Sequence, residues 1–411
     1  MIKKVLCLFF MCMLSLTILS GCWDKKEPKE LAIITSSLVD VTDTGYKGYL
    51  DLLQPKNKSS DESPSLVYAI EGKTIAEAVR NVTKSIDRAP YGSEIQATFF
   101  SEAYARKGIK DYLTYLMRDN YADERPLIMI IKGTNPSLIY NSEIGLSKNV
   151  GAFIQSLSRV QTGTTSFSVF NNALDISKDY YNPGKQPVAG VVEIVPNPTY
   201  LENDGGYAGK SVRTKENMAV VQGLAVFKDD KLVDFMDNIE TRAFNFLTNK
   251  SVKALVSAEL EGAYITGTFE NAKSDIKISF VDNIVHVDVK VKAKMSLIQI
   301  EAPLDPKDMQ INKKIETAVN DLVKTEILQT IQKVQTLKTD IFGFGNYCHA
   351  QCPENWKNIK EQWDDQYFAN AVISVQVNTI VDRNGETDKN RTEWEERLWT
   401  RNQQFHQCKL R

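Results

Sequence analysis

Val285-His286-Val287-Asp288-Val289-Lys290-Val291-Lys292, inside the run Ile284 to Ile300, alternates valine with polar or charged residues without a break. Successive side chains on a strand point to opposite faces, so this period of two predicts a sheet with one buried and one wet face. His286 falls on the wet face, where a lone histidine is far more often a surface residue than a catalyst. From Asp308 to Asp340 the period changes. Ile311, Ile315, Ala318, Val319, Leu322, Val323, Ile327, Ile331 and Val334 form one apolar stripe at helical spacing. At about 1.5 Å per residue this helix runs to about 50 Å, so it is expected to lie across the sheet and protrude beyond it. Gly343 and Gly345 are expected to stop it. The stripe follows helical rather than strict heptad spacing, which argues against a coiled coil. Strands followed by a long helix place this half in the α+β class.

Working outward, Trp356 and Trp363 mark a further helix, Ala371 to Val381 a last strand, and residues 386–411 a polar, helical or frayed tail. Upstream, Ala219–Phe227 and Leu232–Met236 read as a hairpin, Ile239–Leu247 as a short helix, and Val252–Glu259 and Ile276–Phe280 as strands. The first half opens with strands at Glu30–Asp40 and Tyr46–Leu53 joined at Asp43-Thr44-Gly45, then a loop from Gln54 to Pro64. From Leu66 to Lys132 strand and helix alternate. Thr74 and Glu77 form a capping box for a helix carrying Ile75, Ala78, Val79, Val82 and Ile86, ended by Ala89-Pro90-Tyr91-Gly92. Ile95–Phe100, a helix at Ile109–Arg118 and a continuously apolar strand at Pro126–Lys132, of the kind buried on both faces, follow. Helices are expected at Leu146–Val160 and Val169–Tyr180. Pro183-Gly184 and the cluster Pro196–Gly209 interrupt regular structure and suggest a boundary. The fold class expected is α+β, several subdomains of mixed sheets with packed helices, and the long helix in the C-terminal domain. The division expected is 1–21 signal peptide, 22–205 N-terminal α+β region of two subdomains, 206–385 C-terminal α+β domain, and 386–411 tail.

At the N-terminus Lys3 and Lys4 precede an apolar run from Val5 to Leu19, then Leu19-Ser20-Gly21-Cys22. A basic start, a short hydrophobic stretch and small residues before a cut describe a secretory signal, too short to span a bilayer comfortably. Leu-Ser-Gly-Cys also fits the bacterial lipobox, in which the cysteine takes a diacylglycerol and becomes the new N-terminus. The alternatives are an ordinary signal peptide, or a hydrophobic start with a chance cysteine; four matching positions directly after a well-formed hydrophobic stretch favour the lipobox. Two or more acyl chains hold stably, so Cys22 would tether everything after it to membrane lipid outside the cytoplasm.

The chain has 411 residues, 42% hydrophobic and 25% charged, which excludes wholesale disorder. Removing Lys3 and Lys4 takes the formal charge from -2 to -4, so no basic nucleic-acid footprint exists and no nucleic-acid partner is expected. Beyond Cys7, Cys12 and Cys22 remain Cys348, Cys352 and Cys408, an odd number that suggests one disulfide or free thiols. A zinc site from Cys348, His349, Cys352, His406 and Cys408 has the wrong outer order and spacing. Gly205-Gly206-Tyr207-Ala208-Gly209-Lys210-Ser211 resembles a phosphate loop but is one residue short and follows no buried strand. Nucleophile elbows and zinc helices are missing from the sequence, and no metal, cofactor or catalytic residue is expected.

Gly21-Cys22-Trp23-Asp24 with Glu30-Leu31-Ala32-Ile33, Gly72-Lys73-Thr74 through Asn81, Leu116-Met117-Arg118-Asp119 with Arg125, Gly223 to Lys228 with Glu240-Thr241-Arg242, and Asp340-Ile341-Phe342-Gly343-Phe344-Gly345 with Trp356 and Trp363 stand in this order. Together they resemble the spore germination receptor C-subunit lipoproteins, the Ger(x)C family, from the lipobox to about residue 385. Pro28, Cys348 and Cys352 depart from the family's pattern. The resemblance implies a non-enzymatic subunit of a nutrient germinant receptor on the outer surface of the spore inner membrane, working with a multi-span A subunit and a transporter-like B subunit. It also implies an α+β fold in three subdomains. Arg118, Asp119, Glu240 and Arg242 are candidate contacts for those partners, or ion pairs within the chain. The alternative is a lipid-anchored solute-binding protein, which would need repeated βα units in both halves; a wall-active hydrolase lacks acid and base candidates.

Overall fold

The computed structural model describes residues 27–54, 65–118, 124–198, 215–250, 253–301, 304 and 308–382. The Gln54–Pro64 loop beyond Gln54, the Gly205–Ser211 loop, Asp119, Cys22, Cys408 and the tail lie outside them. The first sheet has nine strands: β1 (Leu31–Val41), β2 (Tyr46–Leu53), β3 (Ser65–Gly72), β4 (Ala89–Tyr91), β5 (Ala97–Ser101), β6 (Leu127–Lys132), β7 (Val188–Pro196), β8 (Asn217–Lys228) and β9 (Lys231–Met236). Its order is β3-β2-β1-β5-β6-β7-β8-β9, with β4 beside β1. The centre, β1-β5-β6-β7, is parallel, and both flanks are antiparallel hairpins. The second sheet runs β10 (Lys253–Leu260), β11 (Ala263–Val281), β12 (Ile284–Ile300) and β13 (Val372–Asp382), with only β12 and β13 parallel.

A parallel centre needs helical crossovers, and these cover both faces. On one side α1 (Ile75–Asn81), α2 (Glu102–Lys107), α3 (Lys110–Arg118) and α5 (Ala173–Tyr181) frame a core of Phe100, Tyr104, Leu113, Ile128 and Ile130. On the other, α4 (Val150–Thr164) lays Phe153 and Ile154 against Leu38, Phe99, Met129 and Ile131. Ile128 and Ile130 thus face one core and Met129 and Ile131 the other, as the unbroken apolar run of β6 requires.

Several local expectations shift. Thr74 caps α1 by accepting from Glu77 N at 3.1 Å, but the Glu77 carboxylate takes Lys73 N at 3.0 Å, so the reciprocal bond of a capping box is made one residue early. Asn149 and Asn172, whose side chains accept the amides of Ala152 and Asp175, start α4 and α5 later than apolar spacing suggests. Residues before Asn172 instead bond to the sheet, Phe167 O accepting from Gly223 N and Asn171 O from Ile128 N. Helix α2 and strand β7 were not anticipated. Neither was the first half of β11, whose bulges near Gly267 and Glu270 break its alternation.

The alternating valines of β12 are buried, from Val285 to Met295 in steps of two, with His286 half-buried on the opposite side. Against them lies α7 (Met309–Leu337), burying Ile315, Val319, Val323, Ile327, Ile331 and Val334. The expected protrusion is confined to the exposed first turn around Met309. Gly343 and Gly345 do not stop it: α7 ends at Lys338 in the left-handed conformation, and Gly343 instead precedes α8 (Phe344–Gln351). Helix α9 (Pro353–Ile359) and a π-helical turn at Trp363–Phe368 then lead to β13. Helix α7 also protects the edge strand β13, since Asn320 Oδ1 and Glu316 Oε1 accept the amides of Thr379 and Val381.

Strands β8 and β9 belong to the first sheet, so the boundary expected at 205/206 falls between two paired strands. Helix α6 (Asn238–Leu247) then joins the sheets, and one core runs from Leu224 and Val226 through Phe244 and Phe246 to the second sheet. The reason is hydrogen-bonding: β8 alone would present an unpaired edge where β7 now lies. A fragment of residues 210–385 is therefore expected to aggregate or melt without cooperativity; a single sharp thermal transition by circular dichroism would show that it is self-sufficient.

Candidate functional site

Where α7 ends, Thr339 to Gly345 turns the chain sharply, and Asp340 sits in the turn with no exposure. Its Oδ1 accepts from Phe342 N at 3.1 Å and Gly343 N at 2.9 Å; its Oδ2 accepts from Gly345 N at 2.8 Å and Trp363 Nε1 at 2.9 Å. Four donors on one side chain close the turn as a cap closes a helix end. The alternation Phe342-Gly343-Phe344-Gly345 suits this. Gly343 takes φ +80°, and Phe342 and Phe344 go into the core beside Phe244 and Phe368. Trp363 packs edge-on against Trp356, with centroids 5.3 Å apart.

The same turn joins the two sheets. Asp340 N donates to Asp364 Oδ1 at 2.6 Å, and the loop after α5 reaches in from the first sheet. Gln186 N donates to Asp340 O at 2.8 Å, Gln186 Nε2 donates to Asp364 Oδ2 at 2.8 Å, and Gln186 Oε1 accepts from Asp229 N in the β8–β9 turn at 2.7 Å. Lys228 pairs with Asp365 beside it at 2.6 Å. Gly184 and Gly345 meet so closely that a Cβ on Gly345 would stand 2.7 Å from Gly184 Cα. Burial, reinforced by the neighbouring Asp364 carboxylate, pushes the Asp340 carboxyl up to about 7, against the pull of its N–H donors. Burial raises Asp364 as well. Chemically this is a pair of acids held by backbone and side-chain N–H donors.

The residues singled out from sequence take different places. Arg118 is exposed at the end of α3. Arg242, in α6, is half-buried: it donates to Glu326 Oε1 at 2.5 Å and to Leu255 O at 2.8 Å. Glu240 serves α6 itself, in a capping box with Asp237, and pairs with Lys333 of α7 at 3.0 Å. Glu240 and Arg242 thus hold α6 to α7 rather than facing outward, because their helix lies between the sheets. Glu326 and Lys333 were missed, although Glu326 is legible as a carboxylate on the apolar stripe of α7. Cys348 is buried and Cys352 half-buried, both as free thiols, and burial pushes the Cys348 thiol up to about 12. His349 stacks on Trp356. Among the described residues no group of three or more His, Cys, Asp or Glu side chains could hold a metal ion.

Two family models match the chain: "Spore germination protein N-terminal domain" over residues 24–194, and "Spore germination B3/ GerAC like, C-terminal" over residues 222–385. The chain belongs to this family of spore germination proteins, the Ger(x)C family. Among its relatives, spore germination protein KC of Bacillus subtilis is 24% identical over 94% of this chain and 97% of that protein. Spore germination protein B3 of the same organism is 24% identical over 88% and 93%. The crystal structure of the GerBC protein shares the fold, with a TM-score of 0.52 and 16% identity over 84% of this chain and 96% of that one.

Two outcomes are expected here. Asp340→Ala leaves four N–H donors without their acceptor and is expected to cost at least about 3 kcal/mol in urea unfolding. A carboxyl whose folded pKa of about 7 exceeds its ordinary 3.8 keeps its proton longer when folded. Its contribution to stability therefore falls as pH rises across that window and levels off above it. Asp340→Asn removes this titration, so its melting temperature is expected to vary less than wild type's between those values; an unchanged slope contradicts the assignment. Separately, Arg242→Ala strands the buried Glu326 carboxylate and is expected to cost about 3–5 kcal/mol, whereas Arg242→Met with Glu326→Leu recovers most of it. A double-variant cycle with no coupling would show that the pair is not coupled.

Proposed function

We propose that this chain is a membrane-anchored, non-catalytic lipoprotein subunit of a nutrient germinant receptor, tethered by acylated Cys22 on the outer surface of the spore inner membrane. It assembles there with multi-span A and B subunits to trigger germination. The observation that carries the reading is family membership across both halves of the chain, residues 24–194 and 222–385. Relatives are named for spore germination, protein B3 and protein A3 of Bacillus subtilis among them. The lipobox supplies the anchor, and no helix among the described residues is long and apolar enough to cross a membrane. The solute-binding alternative calls for two similar βα lobes, whereas the second sheet here is an antiparallel meander closed by one parallel strand.

Of the candidate partner contacts, Arg118 is the one whose charge faces solvent, and Asp119 follows it. The docking role is accordingly assigned to the end of α3. Cys22→Ala is expected to leave the signal uncleaved, abolish acyl labelling and lower the germination response. Arg118→Glu is expected to lower germination and association with the partners at an unchanged melting temperature. Palmitate labelling that persists in Cys22→Ala, or normal germination in both variants, would sink the proposal.

A further inference from the structure

Under α1 the first sheet and its cover stand apart. Strands β1, β2 and β3 form the floor, α1 and α3 the roof, and the segment Pro90 to Ile95 one end. Two hydrophobic clusters flank the gap, one around Ile34, Leu50 and Ile70, the other around Tyr46, Tyr112 and Leu116. The cavity between them measures about 530 Å³, inside the range of small-ligand pockets.

The lining specifies what fits. Leu31, Ile34, Leu50, Ile70, Ile75 and Val79 give it apolar walls. The buried hydroxyls that reach it are engaged within the chain: Tyr46 donates to Asp111, Ser37 shares a bond with Thr98, and Tyr112 donates to Thr98, whereas Tyr91, Ser93 and Tyr115, which also line it, are more exposed. A polar group on the body of a ligand would lose its hydration there without replacement, so the body must be apolar. The rim is different. Lys47 and Arg80 line it and are exposed. Lys47 leans on Asp40 at 3.3 Å, whereas Arg80 has no acidic partner among the described residues. Asp40 also accepts from Ser101 and Val41 N, and Asp111 from Tyr46, so the cation left to meet an anionic ligand at this mouth is Arg80, with Lys47 shared with Asp40.

We propose that this cavity binds a single aliphatic chain with an anionic head, the chain between α1 and the sheet and the head at Arg80 and Lys47. A free carboxylic acid and an anionic lipid share that chemistry. The site is independent of the Asp340 turn and of the anchoring at Cys22.

The test uses the chain from Trp23 to Arg411, which keeps every described element, with 11-(dansylamino)undecanoic acid as fluorescent probe. Dodecanoate is expected to displace it, and dodecanol to do so about tenfold less well. Displacement by monomeric dihexanoyl phosphatidylglycerol as well assigns the site to a lipid; displacement by dodecanoate alone assigns it to a free acid. Val79→Trp fills the cavity and is expected to reduce probe binding about tenfold or more at native melting temperature. Arg80→Glu is expected to weaken dodecanoate about tenfold and leave dodecanol unchanged. Should Val79→Trp fail to fold, a diazirine-bearing dodecanoate on the wild-type chain is expected to label peptides containing Ile75–Arg80 or Tyr112–Leu116. Absence of probe binding, labelling elsewhere, or a folded Val79→Trp that binds normally overturns the site. Equal displacement by dodecanol and dodecanoate overturns the anionic head.

Discussion

The carboxylate of Asp340 collects four N–H donors in the turn after α7. An unmet buried amide costs about 1–3 kcal/mol, so the path of the chain after α7 rests on this one side chain. That path matters because β13 pairs with β12 in parallel, and a parallel pair requires the chain to return across the sheet before it re-enters. Helix α7 carries it one way; the Asp340 turn, α8, α9 and the π-helical turn bring it back. Trp363 lies on the returning limb and donates to Asp340, so both limbs are fixed by the same carboxylate.

The turn also explains why two sheets of different topology share a core. Gln186 comes from the loop before β7 and Asp229 from the turn after β8, both at one end of the first sheet. Together with the contact of Gly184 on Gly345, they press that end against the helical side of the second sheet. Helix α6 fills the seam with Phe244 and Phe246, and its charged residues bind α7. Disturbing the seam should therefore be felt in both sheets. The elevated pKa of Asp340 follows from the same enclosure, because a carboxylate taken from water this completely prefers its neutral form even when well supplied with donors.

For a receptor subunit the distribution of charge is informative. Charges near the seam are paired inside the chain, and the wet face of the second sheet pairs Lys277 opposite Asp288 and Lys290 opposite Asp275. The end of α3 and the rim of the α1 cavity are among the places where positive charge meets solvent, as is the second sheet where Lys273 stands opposite Lys292. The end of α3 and the cavity rim lie on the first sheet, as does β1, the strand that would follow the proposed anchor. A subunit held at a membrane by its N-terminus would present this sheet nearest to the bilayer and to partners embedded in it.

Periodicity in the sequence determined β10, β12, β13 and the second half of β11, the long helix, the buried run of β6 and the hairpins at either flank, since each depends on neighbours in the chain. The family, too, was legible, because its motifs are short and stand in order. Sequence did not locate the edge of the first sheet: β7 follows a proline- and glycine-broken stretch, and β8 joins it only through pairing between segments far apart. Nor did it distinguish Arg118 from Arg242. Each is an arginine beside apolar residues, and only the lie of α6 between the sheets half-buries one and brings Glu326 to it, while α3 leaves the other in water. The Asp340 turn was visible as a motif but not as a joint, because its partners Gln186, Asp229 and Asp364 are assembled from three separate loops by the packing of the two sheets.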